Sequence, residues 1–110
     1  EAGIAKCNAV FSKFNDEISS FNRAGERIVA DRDNVALLWD KSRNVRRYYE
    51  LSVGTCNRLV DLAQEAGNLQ CPGPMYSTMI SKIPQLESIT SADACGKRAM
   101  ELGASFNYRR

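Results

Sequence analysis

From Ile4 onward the apolar residues recur at alternating spacings of three and four: Ile4, Cys7, Phe11, Phe14, Ile18, Phe21, Gly25 and Ile28. That is the narrow stripe of a helix packed along one seam, as in a coiled coil, rather than a broad globular face. A second stripe runs through Val35, Leu38, Ser42, Val45, Tyr49, Ser52, Cys56, Leu59, Ala63 and Ala66. Gly67 follows where a left-handed C-cap belongs, and Cys71-Pro72-Gly73-Pro74 breaks the pattern. Pro74 suits the first turn of a short third helix that Pro84 stops, and Ser91 can cap a fourth. The fourth carries Ala92, Cys95, Ala99, Leu102 and Phe106 on one face. Strand-like alternation is nearly absent, and the tail from Asn107 to Arg110 is expected to fray.

The two stripes are separated by RIVADRDNVALLWDK, residues 27–41, which hold neither Gly nor Pro. One unbroken helix would keep its heptad phase, and sevens from Ile4, Phe11 and Ile18 place Arg32 and Arg46 on the seam, a poor fit. Reflection about a point between Asp31 and Arg32 instead lays every member of the first stripe opposite a member of the second. Ile4 then meets Leu59, Cys7 meets Cys56, Phe11 meets Ser52, Phe14 meets Tyr49, Ile18 meets Val45, Phe21 meets Ser42, Gly25 meets Leu38 and Ile28 meets Val35. Large residues face small ones in three of these pairs, as an interdigitating core requires. The chain is therefore expected to turn back, with Asp31, Asp33 or Asn34 capping the returning helix.

The fold class predicted is all-α: a long antiparallel helical hairpin, about residues 3–30 and 34–66, with shorter helices at about 74–83 and 91–105 packed on its open end. Residues 1–110 form a single domain, since a chain of this length builds one modest core. Cys7, Cys56, Cys71 and Cys95 with no His favour two disulfides over a metal site, because their spacing lacks the close pairs that zinc wants. The pairing expected is Cys7–Cys56 with Cys71–Cys95; its chief competitor joins Cys56 to Cys71. Disulfides imply an oxidising compartment, periplasmic or extracellular. The first residue, Glu1, reads as a trimmed product and suits a removed signal peptide.

A hydrophobic share of 44% and a charged share of 25% are those of an ordinary folded domain. No apolar run reaches the roughly 20 residues that a transmembrane helix needs. A net charge of +2, without a Lys/Arg block interleaved with aromatics, gives no basis for nucleic-acid binding. An enzyme is not expected: there is no imidazole base, the thiols are committed to disulfides, and no glycine-rich loop could cradle a phosphate. Asp61 and Glu65 share a helical face and read as solvated surface. No cofactor and no metal is called for.

What remains is a shape. Two arms of about 27 residues extend roughly 40 Å at 1.5 Å per residue, while the short helices span only about 15 and 24 Å. The turn end, about residues 20–46, is thus expected to project as a bare two-helix prong. It carries Trp39, with Leu37 nearby and Arg43, Arg46 and Arg47 around it, either covered by the fourth helix and tail or presented to a partner. Trp and Arg dominate binding hot spots, and an Arg43–Trp39 cation–π contact is the structural alternative. The function expected is a non-enzymatic exported module that docks on another protein. A carrier of an apolar ligand lined by Met75, Met79, Met100 and Phe106 is one alternative, and self-association as a coiled-coil structural protein is another.

Overall fold

The computed structural model describes residues 2–83 and, beyond them, Cys95, Lys97, Arg98, Glu101 and Leu102, all five of which are helical. Three helices precede those five: α1 (Ala2–Asn34), α2 (Leu38–Asn68) and α3 (Gly73–Lys82). α1 and α2 lie antiparallel along most of their length and form the expected hairpin, with α3 packed on its open end. Cys95 and Leu102 join the same core. The rest of the predicted fourth helix, including Ser91, Ala92, Ala99 and Phe106, lies outside the described residues, as do Met100 and the tail.

Why these segments are helical follows from their residues. α1 and α2 hold no proline, and each packs part of its apolar stripe against its neighbour while most of its Lys, Arg, Asp and Glu face water. α3 begins with Pro74 in its first turn, where a missing N–H costs nothing. Its one buried face, Tyr76 and Met79, enters the core together with Ile83.

The bend is displaced from the position expected. α1 continues through Asp31, Arg32 and Asp33 to Asn34, and only Val35, Ala36 and Leu37 separate it from α2. Leu37 is the N-cap of α2 and makes no side-chain cap, so neither Asp31, Asp33 nor Asn34 caps the returning helix. What closes the turn is Lys41: its backbone N–H bonds the Leu37 carbonyl at 3.1 Å and its Nζ donates to the Arg32 carbonyl at 3.3 Å. An ammonium at the C-terminus of α1 satisfies an orphan carbonyl and offsets the negative end of the helix dipole.

Moving the bend changes the register. Gly25 faces Tyr48 rather than Leu38, Glu17 meets Arg58, and Asp31 reaches Arg47. Arg58 Nε donates to both Glu17 carboxylate oxygens, at 3.0 and 2.8 Å. Cys7 therefore lies beyond reach of Cys56 and near the end of α2, where it bonds Cys71, with the Cα atoms 5.7 Å apart. Cys56, fully buried, bonds Cys95, with the Cα atoms 6.1 Å apart. Both disulfides exist, but the Cys7–Cys56 and Cys71–Cys95 pairing does not. The helix end is corrected as well: Gly67 is helical, and the left-handed residue is Gln70, at φ 56°.

The core sits at the open end. Val10, Phe14, Leu59, Val60, Ala63 and Ala66 surround Tyr76, Met79, Ile83 and the Cys56 and Cys95 sulfurs. Toward the bend the interface thins to Gly25, Ile28, Asn44 and Ser52 as its buried positions. Leu38 and Val45, expected in the seam, are exposed, and so is Ile4 at the other end. The molecule measures 54 × 27 × 15 Å with a radius of gyration of 15.9 Å, against about 13 Å for a compact domain of this size.

Candidate protein-docking surface at the hairpin tip

The apex of the hairpin is built by the residues that make its bend. Because Leu37 caps α2 without a polar side chain, Leu37, Leu38 and Trp39 occupy three successive positions on a tight corner. All three side chains face solvent. They are 67%, 78% and 71% exposed. Three neighbouring large apolar side chains this exposed stand out, because single exposed apolar residues are common whereas contiguous patches mark contact sites.

Arginines surround this corner in distinct states. The Arg43 guanidinium carbon lies 5.3 Å from the Trp39 ring centre, the cation–π contact anticipated, and Arg43 also reaches Asp40 at 3.4 Å. The contact with Arg43 leaves the indole open to solvent. Arg47 donates to the buried Asn44 Oδ1 at 2.7 Å and to Asp31 at 3.5 Å, so it braces the two arms against each other. Arg46 is exposed and bonds to no described residue. Of the five residues singled out from sequence, Leu37, Trp39 and Arg43 thus form one patch at the apex. Arg46 lies a turn lower on α2, and Arg47 is spent on the scaffold.

Two adjoining hollows flank the tip half and were not foreseen in the sequence. One, of about 460 Å³, is lined by Ile28, Val29, Arg32, Asn44, Val45, Tyr48 and Tyr49. The other, of about 410 Å³, shares Val29 and Tyr48 with it and extends along α1 past Phe21, Gly25, Glu26 and Asp33. Gly25 opens the second hollow, and the tilted Phe21–Tyr48 ring pair, 5.8 Å between centres, forms its floor. The signal for these hollows was present, since Val45 and Tyr49 stood on the second stripe, but the register assumed buried them.

Elsewhere the described surface offers little chemistry. Among the described residues no three His, Cys, Asp or Glu side chains converge as a metal site would require. No described helix is long and apolar enough to cross a membrane. Asp61, read as plain solvated surface, pairs with Arg98, and Arg98 also donates to Asn57 Oδ1 at 3.3 Å, tying the Cys95 segment to α2. Met79, one of the carrier-pocket candidates, is fully buried, and Met75 packs against the same core. No protein-family model, curated protein or solved structure matches this chain significantly.

Proposed function

We propose that the protein is a non-enzymatic interaction module of an oxidising compartment, periplasmic or extracellular, that docks on another protein through the tip of its helical hairpin. The observation that carries this reading is the apex patch, Leu37, Leu38 and Trp39, exposed together at the far end of a prong from the core. Keeping such side chains in water serves no purpose in folding, while an exposed Trp beside Arg43 is an anchor of the type that fills a partner's pocket. Two disulfides fasten the opposite end, so the base is rigid where the patch is not needed, in keeping with an oxidising compartment. Arg46, unpaired among the described residues, adds a positive charge a turn below the patch, favouring a partner with carboxylates there.

The test is site-specific photo-crosslinking in the cell that makes the protein. A crosslinking residue at Leu37 or Leu38 is expected to yield one discrete heavier adduct, whereas Ser12 and Gln64, exposed near the open end, yield none. With the captured protein purified, Trp39→Ala should weaken binding by about 2 kcal/mol or more, as for a hot-spot tryptophan. Adducts at Ser12 and Gln64 but not at the apex, or full affinity after Trp39→Ala, would overturn the reading.

A further inference from the structure

The two disulfides stand in unequal surroundings. Cys56 and Cys95 are 0% and 2% exposed, and both belong to the buried core with Leu59, Val60, Met79 and Ile83. Cys71 lies between α2 and α3 and is partly exposed, with Gln70 and Pro72 exposed on either side of it. Its partner Cys7 is buried, but it is buried alone. From Gly3 to Ala9 every other residue of α1 is exposed, Ile4 included, and Val10 is the first position of α1 to enter the core. The bridge to Cys71 is thus the covalent tie between the first two turns of α1 and the rest of the molecule, made where solvent reaches one of its ends.

We propose that Cys7–Cys71 is a redox-sensitive latch: a dithiol opens it in the folded protein and frees residues 3–9 of α1, while Cys56–Cys95 stays closed and the core stays intact. Thiol–disulfide exchange needs a thiolate to reach a sulfur, so access ranks the two bridges. At Cys71 the way in is open, whereas Cys56 and Cys95 are reached only when the core itself opens. The thiolate of the dithiol attacks Cys71 Sγ, the bond to Cys7 breaks, and the electron pair leaves on Cys7 Sγ, which takes up a proton. The second thiol then attacks the mixed disulfide and releases Cys71 as a thiol. The dithiol ends as its own disulfide, having passed two electrons to the bridge. Once released, residues 3–9 make a stretch of less than two helical turns, too short to persist as helix without packing. They fray as far as Val10, whose burial in the core stops the opening. The latch sits at the end of the hairpin opposite Leu37, Leu38 and Trp39, so it is independent of the docking function proposed above.

The test exposes the oxidised protein to dithiothreitol without denaturant, traps free thiols with iodoacetamide at intervals, and maps the label. Cys7 and Cys71 are expected to take it up together, at least about tenfold faster than Cys56 and Cys95. The rate of this first step should rise in proportion to the dithiol and ignore low concentrations of urea, because no unfolding precedes it. Opening of Cys56–Cys95 should accelerate with urea, as a step that waits for the core does. Hydrogen exchange on the half-reduced protein reads the consequence. Amides of residues 6–9, whose helical acceptors are the carbonyls of residues 2–5, should lose protection by about tenfold or more, and those of residues 55–66 should keep theirs. The double replacement Cys7→Ser with Cys71→Ser should reproduce that exchange pattern without any reductant. Simultaneous, urea-dependent opening of both bridges, or earlier opening of Cys56–Cys95, would overturn the proposal. So would a half-reduced protein that keeps residues 6–9 protected, because the bridge would then hold nothing in place, or one that loses protection at residues 55–66, because the core would then open with it.

Discussion

A Cβ placed on Gly67 would stand 3.2 Å from Tyr76 Cε2, and one on Gly54 would stand 3.3 Å from an Arg58 nitrogen. The distances are alike but the neighbours are not. Tyr76 is a buried ring in the core, whereas the Arg58 guanidinium is the far end of a flexible, exposed side chain. Both glycines are helical, so alanine at either gains about 1 kcal/mol of helix propensity. At Gly54 that gain survives, and Gly54→Ala should stabilise by about 0.5–1 kcal/mol in a urea melt. At Gly67 overpacking against Tyr76 costs about 1–3 kcal/mol, so Gly67→Ala should be net destabilising. Gln70 presents the complementary case: a residue with a Cβ held at φ 56° costs roughly 1 kcal/mol, which glycine would relieve. Gln70→Gly should raise the melting temperature by about 4–8 °C per kcal/mol regained.

At the scale of elements, what was legible was the sum of local preferences, and what was not was the position of one bend. Helix type, the breaker at Pro72-Gly73-Pro74, the short third helix and the disulfide commitment of all four cysteines follow from spacing alone. The bend does not, because Val35-Ala36-Leu37 contains no turn residue and is held by Lys41 bonding back across it to the Arg32 carbonyl, a contact that periodicity does not encode. A reflection that buried every apolar residue of both stripes was the natural choice, and it failed because the protein leaves Leu38, Val45 and Tyr49 unburied. The apex patch was foreseen as residues but not as a corner, and the flanking hollows were hidden by the same assumption. The displaced bend is what decides the disulfides. Peptide mapping of the unreduced protein should give Cys7–Cys71 and Cys56–Cys95, with no Cys7–Cys56 fragment. The Cys7–Cys71 bridge closes a separation of 64 residues, and replacing both cysteines with alanine should cost about 4 kcal/mol on the loop-entropy model. Lys41→Met should cost about 0.5–1 kcal/mol through the lost Arg32 carbonyl partner, without altering either disulfide.

Across the whole molecule, stability and exposure are arranged in opposite directions. Both disulfides, α3 and nearly all of the large buried side chains lie at the open end, while the tip half is held by Ile28, the Gly25–Tyr48 contact and partly exposed ion pairs such as Asp31–Arg47. Exposed pairs of this kind contribute about 0–1 kcal/mol each, so local opening should begin at the bend and rarely reach Cys56. Native-state hydrogen exchange measures this directly, because amides opened by local fraying exchange far faster than those that need global unfolding. Residues 25–34 and 38–48 are expected to be the least protected helical amides, and residues 55–66 the most. Uniform protection would mean that the hairpin behaves as one cooperative rod, and the tip would then lose its claim to be the mobile end.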